Sequence, residues 1–202
     1  MHSSTGSMTD RTPVSTPSIP KASWASRIPL IICCVILAYW YLRPSSGGSF
    51  IRVPIAPVEA PAWTADAVDG TRLNSTNYRG QVLIINFWAT FCPPCLREIP
   101  ELAAFHTAHS GHSVSVVALS LDQTGIEHVR RFVENNHVPY PTAMANSVIA
   151  ESFGGVAQIP STFIIGRDGK FVAHYLGALT RDELERAIAP LTNQPTPARL
   201  AP

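Results

Sequence analysis

The pattern of apolar and polar positions divides this 202-residue chain into three regimes. Residues 1–27 are rich in Ser, Thr and Pro and show no hydrophobic period, the composition of a segment that cannot bury enough surface to fold alone. Residues 28–42 form an uncharged apolar run between Arg27 and Arg43. After a stretch with Pro44, Pro54, Pro57 and Pro61, short apolar runs alternate with helically spaced apolar positions, as in a globular domain.

Within that last regime, Asp69-Gly70 separates short runs around Trp63 and Leu73 and predicts a hairpin opening the domain. Residues 81–89, Gln-Val-Leu-Ile-Ile-Asn-Phe-Trp-Ala, are nearly continuously apolar and predict a strand buried on both faces. Leu96, Ile99, Leu102, Ala103 and Phe105 follow at helical spacing, with Pro100 expected to kink the helix by removing an interior N–H. Residues 113–121 return as an apolar strand. Ile126, Val129, Phe132 and Val133 mark an amphipathic helix that Asn135 and Asn136 should end. A short strand near 141–145, a helix near 147–153, a hairpin of 162–166 and 171–175 around Asp168-Gly169, and a helix over 181–191 complete the order. Strand and helix alternating, then a hairpin and a helix, predict an α/β domain with a central mixed β-sheet flanked by helices, an N-terminal β-hairpin and a central αβ insertion.

The run at 28–42 is shorter than the roughly 20 residues that cross a bilayer core, but Ala25 and Ser26 can extend it and Arg27 and Arg43 can snorkel. Tyr39, Trp40 and Tyr41 stand where a cleavable signal needs small residues, and they suit an interfacial belt. The run is therefore expected to be an uncleaved transmembrane signal anchor rather than a removed leader. Arg11, Lys21 and Arg27 before it against Arg43 and Arg52 after it favour a cytoplasmic N-terminus. The expected organisation is a disordered cytoplasmic segment at 1–27, an anchor at 28–42, a Pro-rich linker at 43–61, a domain at 62–192 outside the cytoplasm, and a disordered tail at 193–202.

Charge narrows the partners. The residues before Ala62 hold five Lys or Arg against Asp10 and Glu59, and the remainder is mildly acidic, with no basic patch for a phosphate backbone. Nucleic acid is not an expected partner. The four cysteines fall in two close pairs, Cys33 with Cys34 in the apolar run and Cys92 with Cys95 around two prolines, which is not the scatter of a disulfide-stapled scaffold.

Cys92-Pro93-Pro94-Cys95 sits where a buried strand gives way to a helix. Two intervening residues let both sulfurs meet across one helical turn, and the helix N-terminus favours the thiolate of the first. Cys92 is thus the expected attacking thiol and Cys95 the resolving one. Pro93 and Pro94 carry no N–H to offer a thiolate, so Cys92 should be less acidic than in strongly oxidising proteins of this chemistry, and a reductase is expected. Half of a zinc site is the competing reading of the spacing. It would need more ligands, and His106, His109 and His112 are the nearest candidates; no metal or other cofactor is expected.

Over residues 86–102, Asn-Phe-Trp-Ala-Thr-Phe-Cys-Pro-Pro-Cys-Leu-Arg-Glu-Ile-Pro-Glu-Leu, the chain resembles the TlpA/ResA (CcmG/DsbE-related) branch of the thioredoxin superfamily. The resemblance extends through Tyr140-Pro141, Phe153-Gly154 and residues 159–165, Ile-Pro-Ser-Thr-Phe-Ile-Ile, to Asp168-Gly169. It implies a thioredoxin-like fold and a membrane-tethered thiol-disulfide oxidoreductase of protein disulfides and thiols. A role in cytochrome c maturation and an electron donor of the DsbD/CcdA type in the membrane are implied with it. It further implies that Pro160 is a cis-proline facing the cysteines and that the backbone of Ile159 pairs with substrate. Glu98, one turn beyond Cys95, is implied to assist proton transfer, the alternative being a solvated helix carboxylate. Trp88 and Phe91 are candidates for an apolar rim around Cys92, and core packing would explain Trp88 equally well. A peroxiredoxin-like peroxidase would need Pro-x-x-x-Thr-x-x-Cys, whose proline is missing before Cys92. A Sco-like copper module, for which His174 could be a ligand, separates its cysteines by three residues rather than two.

Overall fold

A computed structural model of the chain describes residues 32–35, 50–109 and 113–192. The chain divides into two compact units, 1–45 and 46–202. In the first, residues 32–35 are helical and exposed, and the rest of the expected anchor, like the expected disordered segments at 1–27 and 193–202, lies outside the described residues. Among the described residues no helix is long and apolar enough to cross a membrane.

The second unit contains β1 (Phe50–Val53), β2 (Thr64–Asp66), β3 (Arg72–Asn74), β4 (Val82–Trp88), α1 (Pro93–His109), β5 (Val114–Ser120) and α2 (Ile126–Asn135). It continues through β6 (Thr142–Met144), α3 (Ser147–Ser152), β7 (Ser161–Ile165), β8 (Phe171–Gly177) and α4 (Arg181–Thr192). Six strands form one sheet in the order β1-β8-β7-β4-β5-β6, and β2 pairs with β3 separately. The β4–β5 and β5–β6 pairs are parallel, while β4–β7, β7–β8 and β1–β8 are antiparallel, giving the mixed sheet the pattern predicts.

β4 is central, and all seven of its residues are buried, because alternate side chains enter different cores. Val82, Ile84 and Trp88 join Leu102 and Phe105 of α1, Val129 of α2, and Leu184 and Ile188 of α4. Leu83, Ile85 and Phe87 join Trp63 and Ala65 near the hairpin, Ile149 of α3, Phe153, and Phe163 and Phe171. The hairpin turn forms as expected: Asp69 Oδ1 accepts from the Thr71 N–H at 2.9 Å, and Gly70 takes φ 88°.

One expectation changes. Residues 50–53, read as part of a linker, form an edge strand with Phe50 opposite Gly177 and Val53 opposite His174. The helix expected around Pro100 forms from Pro93 to His109, with Cys95, Glu98, Leu102 and Phe105 buried.

Candidate active site

The sulfurs are delivered by the exit of β4. Leu121 donates its N–H to the Trp88 carbonyl at 2.9 Å, extending the β4–β5 ladder, and the chain then turns, with the Cys92 N–H donating to Ala89 O at 3.2 Å. The Cys92 carbonyl accepts the first helical bond from the Leu96 N–H, which makes Cys92 the residue that caps α1. Cys92 and Cys95 are joined by a disulfide with Cα atoms 5.2 Å apart.

At the cap, a Ser or Asp would normally offer oxygen to the amide three residues on. Here sulfur takes that place: the Cys95 N–H lies 3.3 Å from Cys92 Sγ. Pro93 and Pro94 intervene without donors. Across the sulfur, the Ile159 carbonyl oxygen is 3.8 Å away, and the Ile159–Pro160 bond is cis. The sheet thus brings two segments 67 residues apart to one sulfur.

Glu98 is fully buried at 1% exposure, which excludes the solvated reading. Its Oε1 accepts from the Leu179 N–H and its Oε2 from Asn86 Nδ2, each at 2.9 Å. Burial disfavours the charged carboxylate more than these two donors favour it, and the pKa is pushed up to about 7. Burial and the Glu98 charge also raise the Tyr140 hydroxyl above its ordinary range. A carboxyl raised toward neutrality one helical turn from Cys95 has the chemistry of a proton acceptor for a buried thiol.

Asn86 of β4 orients this carboxylate. Its second amide hydrogen goes to Thr162 Oγ1 at 3.0 Å, linking Glu98 through β4 to the strand that follows Pro160. Thr162 and the Leu179 amide carried no distinguishing signal in the sequence. Of the two rim candidates, Phe91 is 69% exposed beside Cys92, whereas Trp88 is core and packs on Phe132 with centroids 5.4 Å apart.

Of the three histidines nearest the cysteines in sequence, the two that are described make other contacts. His109 lies 3.0 Å from Glu185, His106 faces the Tyr140 ring edge-on, and His112 lies outside the described residues. His174 stacks on Phe163 with centroids 4.0 Å apart, and its Nε2 is 2.8 Å from Ser161 Oγ.

Comparison with known proteins agrees with this geometry. The profile of the AhpC/TSA family matches residues 58–174. The thiol-disulfide oxidoreductase ResA of Bacillus thuringiensis subsp. konkukian is 28% identical over 134 residues, 66% of this chain and 77% of that protein. The ResA of Halalkalibacterium halodurans is 24% identical over 166 residues, 82% and 92% of the two chains. Among solved structures, a thiol:disulfide interchange protein of the thioredoxin family from Chlorobium tepidum TLS matches with TM-score 0.63 and 25% identity, over 70% of this chain and all of the other. A secreted thiol-disulfide isomerase from Corynebacterium glutamicum matches with TM-score 0.65 and 23% identity over 76% and 97%, a likeness of fold. Cysteines paired at a helix cap opposite a cis-proline and matches of this kind lead to one conclusion: the chain belongs to the AhpC/TSA family, on its TlpA/ResA-like thioredoxin branch, and is a thiol-disulfide oxidoreductase.

Proposed function

We propose that the protein reduces protein disulfides outside the cytoplasm while held to the membrane by residues 28–42. The observation that carries the direction is the helix cap. Among the described residues the Cys95 amide, at 3.3 Å, is the hydrogen-bond donor to Cys92 Sγ, and Pro93 and Pro94 add none. A thiolate with few donors is weakly stabilised, so the reduced pair gives up its electrons readily.

In this reading the Cys92 thiolate attacks one sulfur of a substrate disulfide, forming a mixed disulfide and releasing the other substrate sulfur as a thiolate that takes up a proton. Cys95 then passes its proton to Glu98 and attacks Cys92 Sγ. The second substrate thiol leaves, the substrate has gained two electrons, and Cys92–Cys95 is the disulfide seen here. Ile159 presents backbone to the incoming peptide and Phe91 an apolar contact. Re-reduction draws two electrons from a membrane donor of the DsbD/CcdA type, and oxidised cytochrome c precursors are the proposed clients.

The test is the reduction potential of the pair in glutathione buffers, with substrates trapped on Cys95→Ser. A value near about −270 mV is expected, and one near about −120 mV would overturn the direction. Protease accessibility of the domain in intact and osmotically opened cells tests the location; protection in opened-periplasm preparations would place it in the cytoplasm instead.

A further inference from the structure

We propose that Asp122 is a positioning residue for the exchange reaction, fixing the loop that presents Cys92 through the amide and hydroxyl of Thr90. Asp122 lies two residues past the end of β5 and is 6% exposed. Its Oδ2 accepts from the Thr90 N–H at 2.9 Å and from Ser120 Oγ at 2.8 Å, and its Oδ1 accepts from Thr90 Oγ1 at 2.5 Å. The Asp122 N–H in turn donates to Ser120 Oγ at 3.1 Å. With the Thr90 hydroxyl proton committed to Asp122, His128 Nε2, 3.2 Å from Thr90 Oγ1, is left to act as a donor.

Two features separate this arrangement from ordinary packing. Among the described residues no Lys or Arg pairs with Asp122, so a carboxylate is taken out of water without a cation, which costs more than a neutral residue at the same place. Two of its three donors also come from one residue, Thr90, two positions before the attacking sulfur. Trp88 O is held by Leu121 and Ala89 O by the Cys92 amide. Thr90, between the buried Ala89 and the exposed Phe91, is the point at which Asp122 holds the turn. Asp122 thereby links the end of β5 to the placement of Cys92 Sγ against Ile159. Displacing a reacting group by about 1 Å can cost up to a hundredfold in rate. The inference holds for either direction of electron flow, so it does not stand or fall with the reductase reading.

The test uses the full-length chain, reduced, with Asp122→Asn, Thr90→Val and Thr90→Ser. Insulin serves as the probe disulfide and iodoacetamide as the probe of Cys92. Thr90→Val and Asp122→Asn should lower kcat by about tenfold with KM held within about twofold, and should change the Cys92 alkylation rate at least about threefold. Thr90→Ser, which keeps the hydroxyl, should restore both to within about twofold of the parent. A lowered melting temperature with unchanged kcat and alkylation would overturn the proposal and leave Asp122 as a fold-stabilising residue. Should Asp122→Asn fail to fold, the contrast between Val and Ser at position 90 decides it alone. The reduction potential, measured separately, tests direction.

Discussion

Replacing Glu98 with Gln should change how the stability of the oxidised protein depends on pH. The carboxyl is raised from 4.5 to about 7, chiefly by burial, and is 1% exposed, so solvent screening does not dilute the effect. At about 1.36 kcal/mol per pH unit, that displacement corresponds to roughly 3 kcal/mol. The sign follows from proton binding. Between about pH 4.5 and 7 the unfolded chain has released a proton that the folded state retains, so stability falls as pH rises through this window. The penalty is fully present above about pH 8 and absent below about pH 4.

Gln has no such titration and can be accommodated. Its carbonyl can accept from the Leu179 amide, while rotation of the Asn86 amide would turn its oxygen toward the new NH2 and let the Thr162 hydroxyl donate. Urea unfolding followed by tryptophan fluorescence from pH 4.5 to 8.5 should therefore show the parent losing about 3 kcal/mol relative to the variant as pH rises. A difference that stays constant within about 0.5 kcal/mol would mean that the carboxyl titrates in its ordinary range, and the proton-acceptor role would go with it.

In the reduced protein, Glu98→Gln should also move the pH profile of Cys92 alkylation; an unmoved profile would separate Glu98 from the cysteines. Asn86→Ala removes a donor from Glu98 Oε2 and from Thr162. It should cost about 1–3 kcal/mol in urea unfolding and raise the Glu98 pKa further, while an unchanged titration would deny the link. Phe91→Ala, at a side chain 69% exposed, should change stability by less than about 0.5 kcal/mol yet raise KM for a protein disulfide several-fold; an unchanged KM would remove it from the binding surface. Phe153→Ala opens a space among Phe87, Phe163 and Phe171, on the side of the sheet away from the cysteines. It should cost about 3–5 kcal/mol without altering the reduction potential, a result that would fail if the two cores were coupled.

Much of this architecture could be read from local pattern, because local pattern determined it. The apolar run that became β4 demanded burial on both faces, and Asp69-Gly70 demanded its turn. The edge strand β1 escaped notice because four residues among prolines carry little period, and their partner β8 lies more than a hundred positions away. The helix around Pro100 was legible from its apolar spacing, and its buried face holds it despite one missing hydrogen bond. At the site, the cysteines announced themselves by spacing, whereas the surroundings of Glu98 did not. Its two donors come from positions 86 and 179, and no single-residue signal reports such a meeting. Asp122 was equally silent, as one carboxylate where an apolar strand ends.

Both cysteines of the pair are buried, Cys92 at 6% residue exposure and Cys95 deeper at 1%. That difference imposes a regiochemistry on the enzyme. In the proposed cycle the adduct with a foreign sulfur forms at Cys92, the less deeply buried of the two, within range of the internal thiol that clears it. The depth of the second sulfur works as a ratchet, letting each encounter resolve inward.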